Sequence, residues 1–248
     1  MIELNKIYNE DCLEGMKRIP DKSIDMILCD LPYGITARNE WDVIIPFEKL
    51  WEQYARIIKE NGAIILTATQ PFASMLVCSN LKLFKYEWIW QKSYITGVLN
   101  AKKQPVRNHE QVLVFYKKQP SYNPQGILKI DKFTKQGTSS SNYGKRAENN
   151  GYAQEFGNYP RSIQSISSKG DGKKIHPTQK PVALFEYLIK TYTNEGDIVL
   201  DNCIGSGTTA IACINTNRNF IGFELSKEYF DTANERIART LSNENPNT

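Results

Sequence analysis

Two short, largely apolar runs each end in an aspartate, and this pair constrains the fold more than any other feature of the sequence. Residues 24–29 lead into Asp30, and residues 198–200 lead into Asp201. Runs this short favour buried strands over helices. Ligands bind beyond the carboxyl ends of parallel strands, so both aspartates are predicted to lie at a binding site.

The segments between such runs carry helical periodicity. From Pro46 onward, apolar side chains recur at helical spacing, and Gly62 is the expected C-terminal stop. Further helices are predicted near 71–79 and near 182–192. Another follows the glycine loop and ends at Asn215, and a last one begins at Lys227. Further strands are predicted at 6–9, 63–68, 86–90, 111–116 and 220–223. Alternating strands and helices predict an α/β fold, a doubly wound, mostly parallel, Rossmann-like sheet covered on both faces.

Length and cysteine usage indicate an intracellular protein with one large domain. A chain of 248 residues has room for such a domain and an insertion. Its five cysteines form no C-x-x-C pair and their number is odd, which argues against a disulfide framework or a zinc ribbon. Residues 1–14 lack the pattern of an export signal, and no run of 18 apolar residues occurs. We expect a cytoplasmic location and no membrane partner.

A glycine loop follows Asp201 and predicts a nucleoside site. Gly205, Ser206 and Gly207 precede Thr208 and Thr209. Glu224 then ends the next predicted strand, at roughly the 20-residue spacing where a carboxylate accepts hydrogen bonds from ribose hydroxyls. A glycine turn between a strand and a helix is also common without any ligand, so the acid and the strand context carry the prediction.

The same loop differs from the two common phosphate-binding loops. No Gly-Lys-Ser/Thr follows its glycines, so it is not a P-loop, and Ala210 stands near where a dinucleotide fingerprint has its third glycine. An adenosine ligand without a pyrophosphate is therefore favoured, and S-adenosylmethionine is such a ligand.

Asp30, Leu31, Pro32 and Tyr33 place a carboxylate, a restricted backbone and an aromatic ring at the end of one strand. An exocyclic base amine is a poor nucleophile because its lone pair is delocalised into the ring. A carboxylate and a backbone carbonyl that accept its two N–H bonds would favour a pyramidal nitrogen, so catalysis would rest on positioning and electrostatics. Such a base must be flipped out of the duplex, and an aromatic ring offers it a stacking face. Taken alone, the motif also fits an ordinary surface turn.

Several other chemistries lack their residues. No Pro-Cys dipeptide supplies the thiolate of cytosine-C5 methylation, and no His-x-Glu with Pro-Cys-x-x-Cys supports zinc deamination. With two histidines and scattered cysteines, we predict no metal site.

Positive charge is concentrated in one part of the chain. The net charge is +4, yet residues 117–180 contain twelve Lys or Arg and four Asp or Glu, with interleaved aromatics. This composition fits either a polyanion-binding surface or a solvated loop. Periodicity fades over the same stretch, which predicts an insertion with short irregular elements or a loop.

Together these motifs resemble the β class of DNA amino-methyltransferases from bacterial and phage modification systems, in which the catalytic motif precedes the cofactor loop. Residues 30–33 look like the family's Asp-Pro-Pro-Tyr, 201–209 like its Asp-Pro-Phe-x-Gly-Ser-Gly-Thr-Thr, and 176–181 like its His-Pro-Thr-Gln-Lys-Pro. Trp90-Gln91-Lys92 and His109-Glu110 are similar too. The resemblance covers 1–118 and 175–240. Leu31 replaces a proline, and Asn202-Cys203 replaces Pro-Phe, which puts an aromatic wall of the cofactor site in doubt.

The resemblance implies a site-specific, S-adenosylmethionine-dependent methyltransferase that acts on a flipped adenine N6, since Asp at the head of the motif usually accompanies adenine. Cytosine N4 and a non-catalytic DNA-binding protein are the alternatives. The implied cofactor-binding residues are Asp11, Cys12, Asp30, Lys180, Asp201, Gly205, Ser206, Gly207, Thr208, Thr209 and Glu224. The implied domains are a catalytic part at 1–118, a target-recognition insertion at 119–174 and a cofactor-binding part at 175–248.

The resemblance also names the partners. Double-stranded DNA is expected, with a homodimer and a cognate restriction endonuclease as further possibilities, while the residues themselves leave RNA open. The candidate DNA-binding residues are Lys92, Lys145, Arg146, Arg161, Lys173 and Lys174.

Overall fold

The computed structural model describes residues 2–34, 42–134, 152–167 and 179–244. Two compact units are present: Met1–Asn123 together with Ser162–Thr248, and Pro124–Arg161. The helices are α1 Cys12–Met16, α2 Phe47–Ile57, α3 Phe72–Ser79, α4 Val182–Tyr192, α5 Thr208–Asn215 and α6 Lys227–Glu244. The strands are β1 Lys6–Tyr8, β2 Ile24–Asp30, β3 Ile58–Ala68, β4 Phe84–Thr96, β5 Arg107–Phe115, β6 Leu128–Thr134, β7 Tyr152–Gly157, β8 Ile163–Ser165, β9 Ile198–Asp201 and β10 Asn219–Phe223.

The larger unit is built on an eight-stranded sheet in the order β1-β10-β9-β2-β3-β5-β4-β8. Neighbours pair in parallel from β1 through β3, and β4 pairs in parallel with β8. Within this described sheet, β5 runs against both of its neighbours. The predicted doubly wound, mostly parallel α/β architecture is confirmed.

Helices cover both faces, and the central strands alternate their side chains between them. In β2, Ile27 and Cys29 join a cluster with α1, α2 and α3, whereas Met26 and Leu28 join a second cluster with α4 and α5. In the centre of the sheet both sets are fully buried, which explains why this strand is apolar on successive positions rather than alternating.

Gly62 does not end a helix, and this prediction was wrong. Helix α2 begins after Pro46 as predicted, but it ends at Ile57 and β3 follows at once. A Cβ at Gly62 would lie 2.7 Å from the Ile58 side chain and 2.9 Å from the Asp25 carbonyl oxygen. The glycine therefore serves a close approach of two strands, beside a register shift in the β2–β3 pairing.

The basic stretch contains more regular structure than its sequence pattern indicates. Strands β6 and β7 form a two-stranded antiparallel sheet in the smaller unit. Strand β8 pairs instead with β4 of the main sheet. Such pairing between residues far apart in sequence leaves little trace in hydrophobic periodicity when the side chains are mostly exposed. The bounds 119–174 of the target-recognition insertion stay a prediction.

Among the helices of the described residues, none is both long and apolar enough to cross a bilayer.

Candidate active site

The carboxyl ends of neighbouring strands bring the two predicted motifs together. Strand β9 lies between β10 and β2, so Asp201, Glu224 and Asp30 follow adjacent parallel strands at one edge of the sheet. A cavity of about 610 Å³ opens at this edge. The residues predicted from the sequence that line it are Asp11, Cys12, Asp30, Leu31, Pro32, Tyr33, Lys92, Lys180, Asp201, Gly205, Ser206, Thr208 and Glu224.

Asp30 is held by three donors. Its Oδ1 accepts hydrogen bonds from the Tyr33 hydroxyl, at 2.5 Å, and from the Thr67 hydroxyl. Its Oδ2 accepts one from Lys180 Nζ at 2.6 Å. Thr67 lies directly across from Asp30 in the β2–β3 register, so strand pairing alone brings the two together. The carboxylate is thereby fixed in one orientation, with a further lone pair of Oδ2 available to a ligand.

Charges alternate along a row of buried side chains behind Asp30. Lys180 Nζ also lies 3.3 Å from Glu110 Oε2, and Glu110 Oε1 forms an ion pair with Lys92. Lys180 is only 6% exposed. Burial by itself would lower the pKa of Lys180, but Asp30, Tyr33 and Glu110 hold this pKa well above its usual value. The ammonium therefore stays charged, and the row combines two cations with two carboxylates.

The Tyr33 ring packs against the ring of Phe72. Its ring centroid lies 5.1 Å from that of Phe72, and Lys180 Nζ lies 5.7 Å from the Tyr33 centroid. Burial, followed by the charge of Asp30, raises the pKa of the Tyr33 hydroxyl well above its usual value. The hydroxyl thus acts as a donor to Asp30 rather than as a titrating group.

The glycine loop is stabilised from inside by Asp201. The buried carboxylate accepts hydrogen bonds from the Cys203 amide, at 3.1 Å, and from the Thr209 hydroxyl. Burial raises the pKa of Asp201 to about 7. Thr209 is itself fully buried, so both residues shape the loop rather than line the cavity with their polar atoms.

Glu224 connects the end of β10 to this loop. Its Oε2 accepts a hydrogen bond from the Gly205 amide at 2.9 Å, and its Oε1 accepts one from the Ser226 amide at 2.8 Å. Burial raises the pKa of Glu224. Gly205 and Gly207 both adopt positive φ, which side-chain-bearing residues rarely do. The loop can therefore bring its backbone close to a ligand.

Asn202 and Cys203 occupy the place of the family's Pro-Phe with different contacts. The Asn202 Oδ1 accepts a hydrogen bond from the buried Tyr54 hydroxyl at 2.5 Å. Its Nδ2 lies 3.4 Å from Cys203 Sγ and 3.7 Å from Cys12 Sγ. This wall of the cavity therefore consists of the Asn202 amide and the thiols of Cys203 and Cys12.

Asp11 caps the N-terminus of α1. Its Oδ1 accepts a hydrogen bond from the Leu13 amide at 2.8 Å.

The predicted DNA-binding residues have different environments. Lys92 lies in the cavity wall, 5.4 Å from the Trp90 ring centroid and paired with Glu110, rather than on an open surface. Arg161 ends the smaller unit. Lys145, Arg146, Lys173 and Lys174, with His176, lie outside the described residues. Sequence reasoning assigned no role to Thr67 or Glu110, since their proximity to Asp30 arises from strand pairing.

The sheet order, the glycine loop and the acid–proline–aromatic corner beside it define a Rossmann-like methyltransferase architecture. The chain belongs to the DNA methylase family of N6 and N4 methyltransferases, whose family model matches residues 24–235.

Known relatives of this chain cover nearly all of it. It is 30% identical to the type II methyltransferase M.HpaI of Haemophilus parainfluenzae, over 94% of this chain and 74% of the relative. It is 30% identical to the DNA adenine methyltransferase YhdJ of Escherichia coli strain K12, over 95% of this chain and 83% of YhdJ. The fold is similar to that of M1.HpyAVI in its crystal structure with S-adenosylmethionine, with a TM-score of 0.64. The two sequences are 28% identical, and the match covers 94% of this chain and 98% of M1.HpyAVI.

Proposed function

We propose that this protein transfers a methyl group from S-adenosylmethionine to N6 of an adenine flipped out of a specific site in duplex DNA. The observation that carries the proposal is the fixed carboxylate of Asp30, which shares one cavity with the glycine loop and Glu224. One of the relatives that covers most of the chain is named a DNA adenine methyltransferase.

The cavity suits an adenosine-type cofactor. About 610 Å³ is within the usual range of small-molecule sites. A Cβ at Gly207 would lie 3.2 Å from Ala233 Cβ, so the loop has no room for side chains there. Glu224 keeps unused lone pairs for ribose hydroxyls, and the other residues proposed to contact the cofactor are Asp11, Cys12, Gly205, Ser206 and Thr208. Asp201 and Thr209 contribute to the site by shaping the loop. When bound, S-adenosylmethionine supplies an electrophilic methyl group.

Asp30 performs the chemistry by orientation. Its Oδ2 accepts one N–H of the adenine amine, and the backbone carbonyl at Leu31-Pro32 accepts the other. The nitrogen lone pair then points out of the ring plane and is available for attack. Lys180 Nζ, 2.6 Å away, donates to the same oxygen and holds the carboxylate in position. Pre-positioned groups of this kind are the main source of catalysis in such transfers.

Tyr33 and Lys180 support this geometry in different ways. The Tyr33 ring gives the flipped base a stacking face, worth about 1–3 kcal/mol per base. Lys180 was predicted from the sequence to bind the cofactor. Its buried contacts with Asp30 and Glu110 favour a role in ordering the catalytic carboxylate instead.

Duplex DNA is the proposed macromolecular partner. In this proposal the insertion 119–174 reads the recognition sequence, and Lys145, Arg146, Arg161, Lys173 and Lys174 contact phosphates, while Lys92 acts from the cavity wall. We place the enzyme in the cytoplasm with its DNA, as a homodimer, alongside a cognate restriction endonuclease. The named type II methyltransferases among the relatives support such a system.

Nucleoside analysis of DNA from cells expressing the protein tests the proposal. We expect N6-methyladenine from wild type and none from Asp30→Asn, which keeps the shape but removes the charge. Asp21→Asn is the matched control, since Asp21 pairs with Arg56 on the surface. N4-methylcytosine in place of N6-methyladenine would reassign the base. Absence of any new methylated base would leave a DNA-binding protein without activity.

A further inference from the structure

The turn between β4 and β5 exposes a cluster of apolar side chains. Leu99 is fully exposed at its tip, Val98 is 58% exposed and Ile95 is 53% exposed. One exposed leucine is ordinary on a protein surface. Here Ile95, near the end of β4, and Val98 and Leu99, in the turn that follows, expose three large aliphatic side chains within five residues. Exposed apolar groups that lie together often mark a binding surface.

This tip has a defined conformation. Gly97 adopts φ +79° and leads into a single 3₁₀ turn at Val98–Asn100. The Ala101 amide donates to the Val98 carbonyl at 3.0 Å, and the Lys103 amide donates to the Asn100 carbonyl at 2.8 Å. A turn with its own hydrogen bonds presents Leu99 in one position, so little conformational entropy is lost when a partner binds.

The surroundings of the tip are cationic. Residues 88–109 contain Lys92, Lys102, Lys103 and Arg107 and no acidic residue. The last three of these basic side chains are exposed. A second copy of the same patch would be repelled by like charge, whereas a polyanion would be attracted. An apolar tip with basic flanks is the composition that inserts between base steps of a duplex.

The base of the hairpin forms part of the cavity that contains Asp30. From β4, Trp90, Tyr94 and Thr96 line this cavity, and from β5 Arg107 and His109 do so. The tip begins immediately after Thr96, which pairs with Arg107 across the hairpin. A base that leaves its stack to enter the cavity therefore leaves it beside the tip.

We propose that the β4–β5 tip is an apolar wedge, led by Leu99, that enters the DNA stack beside the target base. This inference rests on the proposed function, since it assumes a base flipped into the cavity. Flipping leaves a gap whose neighbouring bases have lost their stacking contacts, which is unfavourable. An aliphatic side chain in that gap restores contact area, while the flanking lysines contact phosphates.

The test compares two synthetic duplexes that carry the methylation site mapped in expressing cells. In one, the target base is normally paired; in the other, it faces an abasic position and is already easier to extrude. We expect Leu99→Ala to reduce kcat/KM on the paired duplex roughly tenfold and on the abasic duplex less than about twofold. Binding of S-adenosylmethionine, measured by calorimetry, should match wild type and so show an intact fold.

Leu81→Ala is the matched control. Leu81 is 65% exposed but lies before the first residue of β4, at the other end of that strand from the tip. It should match wild type on both duplexes. Equal activity of Leu99→Ala on paired DNA would overturn the wedge, as would equal losses on both duplexes. If Leu99→Ala sedimented as a smaller species than wild type and lost equal activity on both duplexes, the tip would instead be a contact with a second copy of the chain. Wild type inactive on both duplexes would instead reject the proposed function.

Discussion

Lys180 Nζ lies 2.6 Å from Asp30 Oδ2 and 3.3 Å from Glu110 Oε2, and its side chain is almost fully buried. A single ammonium thus contacts two carboxylates from different strands, and Lys92 supplies the second positive charge beside Glu110. Burial makes this pairing consequential, because an ion left without its partner in such a place costs several kcal/mol. The orientation of Asp30 therefore depends on Lys180.

Lys180→Met should reduce kcat about a hundredfold, because Asp30 loses the buried ammonium that holds its Oδ2 in position. The loss should fall on kcat and leave KM for DNA unchanged, since Lys180 acts through Asp30 rather than on the substrate. Lys190→Met, at an exposed position of α4, is the control. A loss confined to KM would contradict the assigned role.

Glu110→Gln should lower kcat about tenfold and leave KM for DNA unchanged, since Glu110 acts through Lys180 rather than on the substrate. Removal of one carboxylate lowers the pKa of Lys180, so activity is lost at a lower pH on the alkaline side. Steady-state kinetics across pH measure both effects. Glu87→Gln, an exposed position on β4, should behave as wild type. A change confined to KM would mean that Glu110 acts on DNA binding, directly or through Lys92, rather than through Lys180.

Gly207→Ala and Gly196→Ala form a matched pair. Both glycines have nearly the same φ, +82° and +83°, so each alanine costs about 1–2 kcal/mol of backbone strain. Only at Gly207 does the new Cβ approach another atom, at 3.2 Å from Ala233 Cβ. Urea denaturation should show the larger loss for Gly207→Ala. Calorimetry should show weaker S-adenosylmethionine binding for Gly207→Ala alone. Equal affinities of the two variants would mean that the glycine loop does not bind the cofactor.

Stability should depend on pH through Asp201. Its folded-state pKa is raised to about 7 by burial, above the ordinary value of 3.8. The folded state therefore binds the proton more tightly, and this contribution, full below pH 4, is lost as pH rises through 7. Each unit of pKa shift corresponds to about 1.4 kcal/mol.

Asp201→Asn should lose less stability than wild type as pH rises through 7, because asparagine has no carboxyl group to ionise. Its free energy of unfolding relative to wild type, measured by urea denaturation, should rise from pH 4 to pH 8. Asp231→Asn, in an exposed i,i+4 pair with Lys227, should show no such trend. If the free energies of unfolding of Asp201→Asn and wild type differed by the same amount at every pH, Asp201 would not be the titrating group.

Much of the fold was readable because its signals are local. The apolar runs before Asp30 and Asp201, the helical spacing after Pro46 and the glycine loop each report on a few consecutive residues. Gly62 misled the prediction, because a glycine after a helix pattern has the same appearance whether it ends the helix or lets two strands approach.

The amino-acid sequence alone was enough to indicate an α/β sheet, the order of the two motifs and the ends of the strands that carry them. The contacts of Asp30 with Thr67 and Lys180, and of Lys180 with Glu110, required the folded chain. Strand register and sheet order bring Asp30, Thr67 and Glu110 to one edge of the sheet, and the segment before α4 brings Lys180 to them. Local propensity contains no record of such pairing, because it arises from burying both faces of one sheet.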